Sequence, residues 1–430
     1  MTLKDKTTIT FYNGLTTIGG PMIEVAYGHD HVLFDLGEVY RPELALPDEN
    51  YRTLIQNQLI GDVANFYDPK ITGVVLDTER WQHAGAYLSH LHLDHSKALN
   101  LIAPEIPVYA GPLTAKMLPI LNAAGDFLLP AAGRQSSYTR PITAVEPGET
   151  VRVGQISLEV WSSDHDAYGA TGLIVTTPDR EVAYTGDIRL HGYHPDWVKQ
   201  FLTRAQHSDV LITEATGYSW PEEAASKDDQ EFQGPKSETE LTAEVVELQK
   251  ANPNRQITFN TYPTNVERLL QIMANSPRTV VLHAKRAQLL KQLGKDAYYY
   301  YLPREEKISE LNPKLAIPYS QLLQDKHEYL WQVVDDFASL QPGGLYLHSN
   351  AEPLGDFDPS YAPFVQQFKE LEIEFRALRC SGHADQKELA EIIELVQPPT
   401  LIPVHTLHPE LVENPFGKRI LPKRKQTITL

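Results

Sequence analysis

The chain has 430 residues, 42% of them hydrophobic and 22% charged, an ordinary balance for a soluble globular protein of two or three domains. A formal net charge of −18 argues against a protein that coats duplex nucleic acid through many phosphates, while leaving room for a local groove that grips a short single strand. The single cysteine, Cys380, excludes an intrachain disulfide; residues 1–15 lack the apolar core of a signal peptide, and no run of about 18 apolar residues is present, so the expectation is a cytoplasmic protein with no membrane partner.

Taken in order, Thr7 to Tyr12, a Gly19-Gly20 turn region, Met22 to Tyr27 and His31 to Leu36 predict hairpin strands of a layered fold. Asp35 closes the last of these, just before Gly37, at a place where functional side chains are common. Residues 38–83 predict an excursion of helix and loop. Next comes Ser89-His90-Leu91-His92-Leu93-Asp94-His95, preceded by the apolar Ala86-Tyr87-Leu88 and followed by a helix start. On an extended segment, i and i+2 share a face, so His90 and His92 converge on one point; the turn into the helix then swings Asp94 and His95 toward a second. Imidazole and carboxylate are the usual ligands of zinc and its neighbours among the divalent cations. A lone turn histidine would be unremarkable, but three imidazoles and a carboxylate between His90 and His95 predict a dinuclear metal site.

Val108 to Gly111 predicts a strand and Pro112 to Ala124 a helix kinked at Pro119. Strands near 151–153 and 156–161 follow. His165 and Asp187 then stand at strand-to-loop junctions, where a rigid frame can hold ligands, and the two oxygens of Asp187 suit it to bridge two cations. Strand 209–212 leads to Glu214, and the polar stretch 221–236 predicts a mobile loop. Ser237 and Glu240 form a capping-box pattern ahead of a helix. The strand-helix alternation from Ile257 to Leu282 predicts a small parallel sheet with flanking helices. Four consecutive tyrosines, Tyr298 to Tyr301, read better as a strand or domain seam than as a base-stacking platform. Near the end, Ser381-Gly382-His383 enters a helix, a natural perch for phosphate, and strand 400–404 ends in His405.

In this order the residues resemble a known family. HxHxDH, a distant His165 and then Asp187 after a strand are similar to the metallo-β-lactamase fold. Glu214, His383 and His405 resemble the three further motifs of its β-CASP branch, and the segments 381–384 (SGHA) and 402–405 (IPVH) resemble ribonuclease J and its relatives. Two departures stand out: Thr406 follows His405 where the family commonly has Gly, and the chain ends soon after, without the additional C-terminal domain typical of ribonuclease J. The resemblance implies an α/β fold, a metallo-β-lactamase αββα sandwich in two parts (1–206 and 366–430) with a β-CASP α/β domain inserted at 207–365. It implies two divalent cations, zinc before manganese: one on His90, His92 and His165, the other on Asp94, His95 and His405, bridged by Asp187, with Asp35 orienting a ligand histidine.

The implied activity is that of a nuclease, acting on single-stranded RNA or else DNA, in which a hydroxide shared by two cations attacks phosphorus in line. In this scheme His383 serves as general acid or phosphate contact, Glu214 holds its imidazole, Ser381 helps hold phosphate oxygens, and Asp94 counts with Glu214 and His383 as catalytic. A homo-oligomer is left open. The alternative reading is a hydrolase of the same fold acting on a small ester or cyclic phosphodiester, with the second domain as a lid; a metal-free scaffold subunit is a third, disfavoured because all seven ligand positions are filled.

Overall fold

The computed structural model describes residues 5–74, 81–220, 236–295, 298–302, 310–335, 337, 340–355 and 357–430. The expected loop at 221–236, apart from Lys236, lies outside them. The chain divides into two compact units, Met1–Gln230 with Gly382–Leu430, and Glu231–Ser381.

The first unit is built on two seven-stranded sheets. In one, Thr7–Asn13 pairs antiparallel with Met22–Tyr27, which pairs with Asp30–Phe34; His83–Leu88 and Val108–Ala110 then continue the sheet in parallel. The strand expected to run to Leu36 stops at Phe34, because Asp35 turns into the left-handed region at φ 57°. In the other sheet, Ile156–Ser162, Thr171–Thr176 and Glu181–Tyr184 are antiparallel, and Val210–Glu214 and Thr400–Val404 add in parallel.

The two-residue period of these strands sorts their side chains. Leu173, Val175, Val182, Tyr184, Val210, Ile212, Ile402 and Val404 enter the core that the second sheet shares with Ile9, Phe11, Ile23, Val25, Val32 and Phe34 of the first. The residues between them (Ile174, Ala183, Leu211, Leu401) face outward onto the helices Pro195–Ala205 and Gln386–Val396, through Phe201, Leu202, Leu389, Ile392 and Ile393. Both faces of the second sheet are therefore buried, which is why its strands read as near-continuous apolar runs. This is a mixed α/β architecture of two packed sheets, as the metallo-β-lactamase resemblance implies.

The second unit holds a six-stranded, all-parallel sheet that includes Ile257–Thr261, Thr279–His283, Tyr329–Gln332, Leu345–Ser349 and Glu374–Ala377. The helix Glu238–Ala251 is capped by Ser237, whose side chain accepts from the Glu240 amide. Of the tyrosine run, Tyr300 and Tyr301 form a buried edge strand beside Leu282 and His283. At the centre of this unit the fully buried Arg268 donates to both oxygens of Glu238, at 2.8 and 2.7 Å, and to Asn350 at 2.8 Å.

The division of the chain differs from the one expected at 207 and 366. Val210–Glu214 is hydrogen-bonded between Glu181–Tyr184 and Thr400–Val404, so it belongs to the first unit; Glu374–Ala377 pairs with Leu345–Ser349, so it belongs to the second.

Candidate metal centre

In the first unit, strand ends bring the chemistry-bearing side chains together. His83–Leu88 delivers the run from His90 to His95, with Leu93–Ser96 as one helical turn. His165 follows Ile156–Ser162, Asp187 follows Glu181–Tyr184, Glu214 ends its strand, and His405 follows Thr400–Val404. His90, His92 and His165 offer ligand atoms within 4.8 Å of one another, and so do Asp94, His95, Asp187 and His405. Asp187 Oδ2 stands 3.2 Å from His95 Nε2, 3.6 Å from His90 Nε2 and 3.7 Å from both His165 Nε2 and His405 Nε2, between the two groups. His405 Nε2 is 3.0 Å from Asp94 Oδ2.

The chain around these groups is locked. Gly20 N donates to Asp94 O, Leu36 N to His95 O, and Ala98 N to Leu36 O, at 2.7 to 2.9 Å. A Cβ on Gly37 would sit 1.4 Å from Asp94 O, so only glycine lets the two segments meet. Asp35 is fully buried at its positive φ and accepts from Ser89 N and Oγ at 2.8 Å, from His95 Nδ1 at 2.9 Å and from Tyr184 OH. Its partner among the ligand histidines is therefore His95, whose Nε2 is left facing Asp187. Other far-side nitrogens are held in the same manner: His90 Nδ1 by Ser89 Oγ at 3.0 Å, His405 Nδ1 by Thr216 Oγ1 at 2.8 Å, and His165 Nδ1 by the Gly382 carbonyl. The buried pair Arg189–Asp164, 2.8 Å apart, ties the loop after Asp187 to the one carrying His165.

Glu214, almost fully buried, accepts from Thr216 N at 2.8 Å and stands 3.3 Å from His383 Nδ1, which is itself 3.6 Å from Asp187 Oδ2. Ser381 is exposed, is the last residue of the second unit, and is in neither ligand group. Thr406, at the departure from the family pattern, is buried; its hydroxyl accepts from Ser219 Oγ at 3.3 Å and from the His408 amide at 3.2 Å, pinning the loop after His405. Ser89, Tyr184, Thr216 and the Asp164–Arg189 pair were not singled out from the sequence. Their only signal is adjacency, since each is within three residues of a ligand or of Glu214.

Electrostatics fit a cation. Burial drives His90 and His165 below the ordinary imidazole value, His165 to about 3, so both are kept in the neutral form that ligates. Burial resists ionisation of Asp94 and Asp187 as well, but the neighbouring His95 and His405 hold both carboxyls below the usual range. Burial likewise opposes a charge on His383, yet Glu214 and Asp187 outweigh it and push its pKa up to about 9. His90 Nε2, His95 Nε2 and both oxygens of Asp187 are buried without a hydrogen-bond partner. Each such orphan costs roughly 1–3 kcal/mol unless something binds it, and four of them converge here. A set of imidazoles and carboxylates with converging, unsatisfied atoms is a divalent-metal site.

Comparison with known proteins agrees. Residues 82–251 match the family described as the β-lactamase superfamily domain, and residues 371–413 match the Zn-dependent metallo-hydrolase RNA specificity domain. The chain belongs to the metallo-β-lactamase superfamily, as a ribonuclease J-like protein of its β-CASP branch. It is 22% identical over 353 residues to ribonuclease J of Sinorhizobium meliloti, covering 75% of this chain and 59% of that one. It is 21% identical over 436 residues to ribonuclease J of Pyrococcus abyssi (91% and 88%), and 21% identical over 427 residues to that of Helicobacter pylori (92% and 55%). The chain thus spans little more than half the length of two of these relatives. A crystal structure of an Enterococcus faecalis V583 protein of unknown function is similar throughout, with 46% identity, a TM-score of 0.94, and coverage of 99% of this chain and 100% of that one. Among the described residues, no helix is long and apolar enough to cross a membrane.

Proposed function

We propose that the chain is a phosphodiesterase that cleaves nucleic acid, with single-stranded RNA as its substrate and two divalent cations, zinc in the first instance, as its cofactors. The observation that carries this reading is the double ligand group with Asp187 Oδ2 between its halves, at 3.2 to 3.7 Å from four imidazole nitrogens. Its RNA assignment is supported by the likeness to ribonuclease J proteins and to an RNA specificity domain.

His90, His92 and His165 would hold one cation and Asp94, His95 and His405 the other, with Asp187 placed between the two groups. Bound there, such a pair supplies Lewis acidity toward a phosphodiester and lowers the pKa of water toward neutrality. The chain's own groups do the rest. Asp35 and Thr216 keep His95 and His405 in one tautomer with Nε2 turned inward. His383 holds a proton for the leaving alkoxide or contacts the phosphate, and Glu214 keeps its Nδ1 side oriented. Ser381 offers a hydroxyl to a phosphate oxygen.

The test compares zinc- and manganese-loaded protein on 5′-labelled and 3′-labelled single-stranded RNA, on single-stranded DNA, and on a panel of small esters and cyclic phosphodiesters. Cleavage of RNA ahead of DNA and no turnover of the small substrates is the expected result. Release of a labelled mononucleotide identifies an exonuclease and discrete internal fragments an endonuclease. Turnover confined to the small substrates overturns the reading.

A further inference from the structure

His92 differs from its fellow ligand histidines in which nitrogen it turns inward. His90, His95, His165 and His405 each have Nδ1 against a protein oxygen (Ser89 Oγ, Asp35 Oδ2, Gly382 O and Thr216 Oγ1) and each direct Nε2 toward Asp187. In His92 the order is reversed. Its Nδ1 is 3.0 Å from His165 Nε2, on the side where the first ligand group converges, and its Nε2 is 3.6 Å from Oδ1 of Asp166.

An imidazole that ligates through Nδ1 must carry its proton on Nε2, and the group beyond Nε2 decides whether that tautomer and that ring orientation are held. Asp166 stands at that position. It belongs to none of the converging ligand groups, its side chain is 12% exposed, and the same oxygen is 3.4 Å from His165 Nε2. Room for it is made by Gly382, where a Cβ would lie 2.4 Å from Asp166 Oδ1 and 2.8 Å from His165 Cε1. The Gly382 carbonyl meanwhile accepts from His165 Nδ1. One glycine thus seats a ligand histidine with its carbonyl and the carboxylate beside it with its missing side chain.

We propose that Asp166 is the positioning residue for His92: its carboxylate accepts the Nε2 proton, fixes the Nδ1-ligating tautomer, and thereby sets the affinity of the His90–His92–His165 site for a divalent cation. This rests on the metal assignment made under the proposed function. A separation of 3.6 Å is ion-pair reach, and the proposed role requires it to close by about 0.5 Å to a hydrogen bond when the cation is bound. The carboxylate acts through His92 and touches no reacting atom.

The experiment is a zinc titration of the metal-free full chain against a chromophoric chelator, for wild type, Asp166→Ala and Asp166→Asn, with the melting temperature of each metal-free protein measured alongside. The expected result for Asp166→Ala is a loss of roughly 10- to 100-fold in one of two zinc affinities, the other unchanged, with an unchanged melting temperature. Asp166→Asn keeps an acceptor oxygen and recovers most of the loss. Two wild-type affinities in Asp166→Ala overturn the proposal, as does an equal loss in both variants accompanied by a fall in the metal-free melting temperature. A wild-type protein that binds no zinc overturns the metal assignment itself, a failure distinct from either of these.

Discussion

At the scale of single residues, the proposed centre rests on side chains outside its ligand set. Asp35 gathers four donors on one buried carboxylate and aims His95. Asp35→Ala is expected to weaken zinc binding by about 10- to 100-fold at one site, read by chelator competition, because the imidazole loses its orienting acceptor. Glu214 makes a different prediction. It stands 3.3 Å from His383 Nδ1 and is outside the proposed ligand set, so Glu214→Gln should lower turnover on the order of a hundredfold while metal content by elemental analysis stays at the wild-type level. Equal loss of metal would contradict the role given to Glu214. The residues proposed as ligands could be picked out from the sequence because HxHxDH compresses four of them into six residues and the rest follow apolar strands. Tautomer and orientation could not, since whether Ser89, Thr216 or Asp166 lies beyond a ring nitrogen is a matter of tertiary approach.

At the scale of elements, backbone contact decides the geometry. The segment after Asp35 lies so close to the ligand turn that Gly37→Ala would drive a methyl group into the Asp94 carbonyl. A lower melting temperature together with reduced zinc retention after dialysis is the expected outcome, and wild-type zinc retention would show that the turn can yield. In the second unit, Arg268 and Glu238 form a fully buried pair that ties two helices to the end of Leu345–Ser349. Removing one partner strands the other charge, so Arg268→Ala should cost about 3–5 kcal/mol in urea unfolding. The parallel alternation of this unit was readable from periodicity, and the capping box at Ser237 marked the helix Glu238–Ala251. The boundaries were less legible: a strand shows its apolar pattern in the sequence but not its sheet, and Val210–Glu214 is assigned only by pairing with Glu181–Tyr184 and Thr400–Val404.

At the scale of the whole chain, the proposed ligands lie at positions 90 to 405, so a cation held by them would tether distant segments. Cations that bind the folded chain alone stabilise it by linkage, about 4 kcal/mol when free metal stands a thousandfold above the dissociation constant. Chelation should therefore lower the melting temperature, and readdition of zinc restore it. The net charge of −18 is compatible with this centre, since each bound dication offsets two carboxylates, and it predicts that substrate binding is local in extent. The central claim is a two-cation phosphodiesterase, and one measurement addresses it most directly: titrating the metal-free chain with zinc while following bound metal and cleavage of single-stranded RNA in the same samples, with Asp94→Ala in parallel. Cleavage that rises as the second equivalent binds, and is absent in Asp94→Ala, is the result expected. Two bound equivalents with intact RNA would contradict it.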